Sequence, residues 1–367
     1  MSLKILESEN FENLFLESMP FIDVRAPVEF AQGSLPNAIN LPILNDEERA
    51  KVGTLFKEKG PVAATELGHQ LVFGEIKQKR LNDWTSFIQK NPRCILYCFR
   101  GGQRSQITQA WLQEQGVSIV RLGGGYKLAR QFLIDKIEQI SETRNFLPLA
   151  GPTGSGKTIL INELKNLYPT IDLEALARHR GSAFGAWDVA QPAQIDFENQ
   201  LSVAMMRIDR KFKSEILPLV EDESRLIGRN VVPKQLFEKI SSSPVVLLDE
   251  KIEVRVQNIF QDYILNSAIG KTDEEKALEI FAKYKKSLQA ISKKLGGERT
   301  KEILELLQFS EDEFRATAAN DSNRAWIEKL LLYYYDPLYL SSLSRRNVRV
   351  LFKGQRAECF SYVKDSL

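Results

Sequence analysis

The chain has 367 residues, of which 43% are hydrophobic and 27% charged, with a formal net charge of +2. That length exceeds one ordinary core and predicts two domains, while the near-neutral charge neither demands nor forbids a nucleic-acid partner, because phosphate affinity depends on where Lys and Arg lie. Three cysteines are too few for a disulfide framework, the longest apolar runs (residues 244–248, for instance) are of strand length, and the N-terminus lacks a signal-peptide layout; the expectation is a cytoplasmic protein with no membrane span.

The first stretch alternates short apolar runs with amphipathic ones. Residues 21–24, 94–98 and 117–122 read as buried strands, the last running into Gly123, Gly124 and Gly125, and residues 106–115 read as a helix. Strands alternating with helices predict a parallel α/β sheet. A helical pattern over 126–143 leads to a fresh strand at 146–150, so the domains are expected to be 1–143 and 144–367. In the second, strands are expected at 170–173, 216–220, 244–248 and 348–352. A helical segment is expected over 272–340, of which the Lys/Glu-rich part from Thr272 to Leu307 reads as an exposed insert.

Cys98-Phe99-Arg100-Gly101-Gly102-Gln103-Arg104-Ser105 follows a strand and precedes a helix. Such a loop turns successive backbone N–H groups inward as an anion nest, and a helix N-terminus favours the thiolate, the nucleophilic form of cysteine. Arg100 and Arg104 add charge that can hold an oxyanion, and the glycines let backbone approach the bound group. Cys94, inside a strand, and Cys359 carry no such loop and read as core thiols.

Gly151-Pro152-Thr153-Gly154-Ser155-Gly156-Lys157-Thr158 matches G-x-x-x-x-G-K-[ST] between strand and helix. The backbone there wraps a diphosphate, Lys157 neutralises it, and the Thr158 hydroxyl can ligate Mg²⁺. Glu221 and Asp222 end a strand and are the preferred acidic partners for a metal; Asp249 and Glu250 are the rival pair. The motif suits a nucleotide and a diphosphate on an organic substrate equally.

Phe21-Ile22-Asp23-Val24-Arg25, Glu29-Phe30 and residues 33–42 resemble the opening signature of rhodanese domains, with Ser34 where that signature usually has histidine. The cysteine loop and Leu122-Gly123-Gly124 extend the resemblance over the first 130 residues or so. Many rhodaneses have four residues between the Cys and the following Arg; Cys98 and Arg104 have five between them, as in rhodanese-related phosphatases and arsenate reductases. Added to the joined phosphate loop, the stretch from Asn45 to Gly60, Gly68-His69, and residues 178–185 and 221–228, the chain is similar throughout to the tRNA 2-selenouridine synthases.

That resemblance implies replacement of sulfur by selenium at wobble 2-thiouridine of tRNA, with selenophosphate as donor and an S-geranylated intermediate made from geranyl diphosphate. It implies Cys98 as the perselenide-forming nucleophile, Arg100 and Arg104 on the selenophosphate anion, and Gly151, Gly154, Ser155, Gly156, Lys157 and Thr158 around the diphosphate. No tightly bound cofactor is expected; selenophosphate and geranyl diphosphate are substrates, and Mg²⁺ can accompany the diphosphate. Arg178, His179, Arg180 and Arg225 are candidate contacts to tRNA or phosphate, nearly as readable as solvated surface. The alternatives are a wide-loop rhodanese-type phosphatase or arsenate reductase, and a P-loop kinase with an inert rhodanese domain.

Overall fold

The computed structural model describes residues 4–185, 189–270 and 274–365. The chain divides into two compact units, Met1–Ile140 with Pro192–Arg210, and Ser141–Gln191 with Lys211–Leu367. No helix among the described residues is long and apolar enough to cross a membrane.

The first unit is built on β1 (Ile5–Leu6), β2 (Phe21–Asp23), β3 (Ala38–Asn40), β4 (Ile95–Tyr97) and β5 (Val120–Leu122). They form a sheet in the order β1-β5-β4-β2-β3 with every pairing parallel. All residues of β2 and β4 are buried, as expected of central parallel strands covered on both faces. Around them run α1 (Phe11–Leu16), α2 (Pro27–Ala31), α3 (Asp46–Leu71), α4 (Gly74–Lys90), α5 (Gln103–Glu114) and α6 (Gly125–Thr143).

The strands are shorter than their apolar runs. Cys94 and Cys98 flank β4, because past Tyr97 the backbone leaves the ladder and the Cys98 carbonyl accepts from Tyr126 N, 2.9 Å. The α5 helix starts at Gln103, ahead of the expected 106, which brings its N-terminus onto the cysteine loop. The segment after residue 45 becomes α3, opened by a capping box between Asn45 and Glu48 and broken at Gly60 (φ 82°) before Pro61. Trp84 of α4 is buried and donates to the Leu41 carbonyl at 2.8 Å.

The second unit carries β6 (Leu147–Ala150), α7 (Lys157–Leu164), β7 (Thr170–Ile171) and α8 (Leu173–Ala177). After α9 (Gln194–Lys211) come β8 (Leu219–Glu221), the hairpin β9 (Leu226–Ile227) and β10 (Asn230–Val231), α10 (Lys234–Ser242), β11 (Val245–Leu248) and α11 (Ile252–Ile259). Then follow α12 (Glu274–Leu295), α13 (Gly297–Thr317), α14 (Asn323–Leu330), α15 (Asp336–Arg346), β12 (Val350–Gly354) and α16 (Arg356–Lys364). The sheet order is β12-β11-β6-β8-β7, all parallel. Thus β8, which ends in Glu221, lies directly beside β6, whose end opens into the phosphate loop.

The expected helical segment forms α12 to α14 around a core that includes Phe281, Tyr284, Leu307 and Trp326, and then α15, which buries no side chain. Thr272 lies outside the described residues. Tyr333, Tyr334 and Tyr335 pack against that core as a helix face.

Helix α9 lies within the expected second domain in sequence but packs in the first unit. Its Asp196 accepts from Ser34 N at 2.7 Å, and Asn199 donates to the Ser34 carbonyl at 2.6 Å. Ser202 donates to the Leu133 carbonyl at 2.8 Å. Gly33 (φ 148°) makes this approach possible, since a Cβ there would lie 2.5 Å from Ile195. Ser34, where the rhodanese signature usually has histidine, is thus a docking point for α9.

Candidate active site

Two clefts carry chemistry, each inside one unit. In the first, Cys98 sits at the base of a cavity of about 710 Å³. Its Sγ lies 3.2 Å from Ser105 Oγ, at the first turn of α5. The loop is held from behind. Gly101 takes φ 64°, and a Cβ on Gly125 would fall 2.3 Å from Gly101 N and 2.4 Å from the Cys98 carbonyl. The glycine run after β5 is therefore the bed on which the cysteine loop lies, with Lys127 N donating to the Phe99 carbonyl at 2.9 Å. Arg121 donates to the Gly101 carbonyl from below.

Arg100 is exposed at the cavity mouth. Arg104 is clamped by Glu29 through Nη1–Oε2 at 2.5 Å and Nη2–Oε1 at 3.1 Å. Burial pushes the Glu29 carboxyl up, but the hydrogen bond and charge of Arg104 outweigh it and hold Glu29 below the usual range. Arg104 is thus oriented before any anion arrives. The other cysteines have no cavity of this kind, and burial pushes the thiols of both Cys94 and Cys359 up to about 11.

The second cleft, about 430 Å³, is lined by the phosphate loop, Glu174, Arg180, Asp222, Arg225 and residues of α15. Lys157 Nζ donates to the Gly151 carbonyl at 2.9 Å. Gly154 (φ 82°) and Gly156 (φ 85°) hold left-handed backbone, and a Cβ on Gly154 would lie 2.8 Å from the Arg255 carbonyl. Helix α11 supports the loop: Arg255 Nε donates to the Thr153 carbonyl and Asn258 Nδ2 to the Gly154 carbonyl, both at 2.9 Å. Arg255 is itself paired with Asp336 at the start of α15.

The four acidic candidates separate cleanly. Glu221 Oε1 lies 3.0 Å from Thr158 Oγ1. Asp222 instead pairs with Arg346 through two hydrogen bonds, of 2.7 and 2.5 Å. Asp249 pairs with Lys353 at 2.9 Å, and Glu250 accepts from Arg356 N at 2.6 Å. Glu174, which the sequence did not single out, reaches Thr158 Oγ1 at 2.9 Å, and its backbone N donates to Glu221 Oε2 at 3.0 Å.

One hydroxyl proton cannot be donated to two carboxylates, so a proton or a cation must sit among these oxygens. Burial, then the charge of Glu223, pushes the Glu174 carboxyl up to about 8. Burial and Glu174 raise Glu221 well above its ordinary value. Mg²⁺ is a hard ion that takes one or two carboxylates with phosphate and water oxygens, and this donor set fits it. Among the described residues, no three His, Cys, Asp or Glu side chains are placed to hold a metal by themselves.

Of the basic candidates, Arg180 and Arg225 line this cleft, with the Arg180 guanidinium 4.9 Å from the Tyr263 ring centre. Arg178 is exposed and takes left-handed backbone (φ 50°) at the end of α8. His179 Nδ1 accepts from Gly181 N at 3.1 Å, and burial followed by the charge of Arg180 lowers its pKa. Ser105, Glu29, Glu174, Arg255 and Asn258 were not assigned roles from sequence. Ser105 and Glu29 stood in the quoted stretches, whereas nothing in the sequence marks the other three, which lie far from the phosphate loop in the chain or in a short unremarkable helix.

Comparison with known proteins accords with both clefts. Residues 7–130 match the model of the rhodanese-like domain, and residues 144–367 match that of the tRNA 2-selenouridine synthase AAA domain. A tRNA 2-selenouridine synthase of Bdellovibrio bacteriovorus is 52% identical, with 99% of each chain covered. Those of Nitrosomonas europaea and Pseudomonas syringae pv. syringae are 50% and 42% identical, covering 96% and 98% of each chain. With near-complete coverage at these identities, and with a thiol loop and a phosphate loop both built as the geometry requires, the chain belongs to the tRNA 2-selenouridine synthase family.

Proposed function

We propose that this chain replaces sulfur by selenium at 2-thiouridine in the wobble position of tRNA, in the cytoplasm, with selenophosphate as donor. The observation that carries the reading is the placement of Cys98 Sγ at the base of an organic-ligand-sized cavity and at the N-terminus of α5. Selenophosphate selenium is already at the selenide level, so a perselenide on Cys98 would need a two-electron oxidant. In this reading the selenium instead displaces geranyl thiolate from C2, the Cys98 thiolate takes the phosphoryl group off that selenium, and water frees it as phosphate. Arg100, the Glu29-held Arg104 and the loop N–H groups hold the phosphate oxygens. Ser105, 3.2 Å from the sulfur, is placed to hydrogen-bond the thiolate.

The second cleft is proposed to bind the diphosphate of a geranyl donor, through Lys157, Thr158 and the backbone from Gly151 to Gly156. S-alkylation turns the thiouridine sulfur into a better leaving group, which selenium then displaces. Mg²⁺, held by Thr158, Glu221 and Glu174, would neutralise diphosphate charge. Arg180 and Arg225 stand ready at the rim for the same phosphates or for tRNA. The test is mass spectrometry of nucleosides from 2-thiouridine-bearing tRNA after incubation with the protein, selenophosphate and geranyl diphosphate. Absence of both 2-selenouridine and geranylated thiouridine would sink the reading.

Glu29→Gln keeps the side-chain shape but loosens the clamp on Arg104, so kcat/KM for selenophosphate falls by about ten- to a hundredfold. An unchanged steady-state value would remove Glu29 from the site.

The raised Glu174 pKa means that protonation favours the folded form. That stability is full below the unfolded carboxylate value and is lost as pH rises through about 8. Stability of the metal-free protein should therefore fall progressively between about pH 5 and 8 and level off above, by up to about 4 kcal/mol. Mg²⁺ with diphosphate should offset the fall and Glu174→Gln should flatten it, both read by calorimetry across that range.

A further inference from the structure

The cavity over Cys98 is larger than its anion nest needs. Pockets of roughly 300–1,000 Å³ enclose whole organic ligands, several times the size of one tetrahedral oxyanion. The extra room is walled by α3, on which Arg49, Gly53, Phe56 and Lys57 fall on one face by helical spacing and all line the cavity.

Each of these residues is poorly explained by packing. Phe56 is 51% exposed. Gly53 is helical, and glycine is a poor helix former; yet a Cβ there would meet nothing within 4 Å, so no neighbour in this chain requires it to be small. Among the described residues no acidic side chain lines the cavity, and Lys57 and Arg100 form no ion pair, whereas Arg104 and Arg49 both face Glu29. A half-exposed aromatic ring beside uncompensated cations is the arrangement that binds single-stranded RNA, with a base on the ring and phosphate at the charge.

We infer that this cavity receives the reacting nucleotide, unstacked from its neighbours, and that the α3 face positions it: the base lies against Phe56 in the space left by Gly53, and Lys57 meets the adjoining phosphate. The inference rests on the proposed function and adds the pocket in which the RNA is read. Phe56 and Lys57 are positioning residues, since neither takes part in the selenium transfer.

The test uses the full chain and an anticodon stem-loop RNA carrying 2-thiouridine, and measures RNA binding separately from turnover. Gly53→Leu fills the space with a better helix former, so it obstructs without unfolding α3. It should raise both the Kd and the KM for RNA about tenfold or more, with the melting temperature kept. Phe56→Ala should raise KM with little change in kcat, and Phe56→Tyr should restore it. Lys57→Ala should lower the salt-dependence slope of binding by about one.

Unchanged RNA affinity in Gly53→Leu and Phe56→Ala, with melting temperatures intact, overturns the inference. If the parent chain made no selenouridine yet lost RNA affinity on Gly53→Leu, the pocket would stand and only the reaction would fall.

Discussion

Cys98→Ser should cut 2-selenouridine formation by at least about a thousandfold, because the serine hydroxyl is not ionised near neutrality and is a far weaker nucleophile than a thiolate. The substitution is nearly isosteric at a site 3% exposed, and Ser105 Oγ remains a hydrogen-bond partner for the new hydroxyl, so the fold should persist. RNA affinity should stay within about twofold, since the thiol contributes little to binding energy. Nucleoside mass spectrometry and RNA binding measured on one preparation separate the two. Selenouridine at parental levels in the serine variant would remove Cys98 from the reaction. If geranylated thiouridine accumulates in that variant, the alkylation step does not need the thiol.

Lys157→Ala should have the converse effect. Its Nζ now donates to the Gly151 carbonyl, at the point where diphosphate oxygens would draw it across the loop. Removing one partner of a desolvated charge pair costs about 2–5 kcal/mol, which is roughly thirtyfold to several thousandfold in diphosphate affinity. Geranylated thiouridine should vanish with geranyl diphosphate as donor, while tRNA already S-geranylated should still be selenated in the Cys98 cleft. Failure to convert the pre-alkylated tRNA would join the two clefts in one reaction. If instead the parent chain hydrolysed ATP, and only Lys157→Ala abolished it, the cleft would be a nucleotide site and the kinase reading would replace the geranyl one.

Much of both sites could be read along the chain, because their chemistry is local. A strand, a thiol, two glycines and a helix start are consecutive between residues 94 and 106, and backbone geometry alone makes them an anion nest. The phosphate loop is likewise eight consecutive residues whose conformation follows from glycine placement and the flanking elements. The paired acids at 221–222 and 249–250 were legible as strand ends, but not which carboxylate meets the threonine.

That choice depends on sheet order and on partners distant in sequence. Placing β8 beside β6 brings Glu221 to Thr158, and Arg346, 124 positions away in the chain, draws Asp222 aside. The parallel sheets, the thiol loop and the phosphate loop were thus determined by sequence, since each is set by hydrophobic period or by a contiguous run of residues. The grip of Glu29 on Arg104, the shared Thr158 hydroxyl, the docking of α9 on Ser34 and the open α3 wall over Cys98 were decided by tertiary structure. Each depends on which surfaces are buried together, and pairwise burial between distant segments leaves no period in the chain.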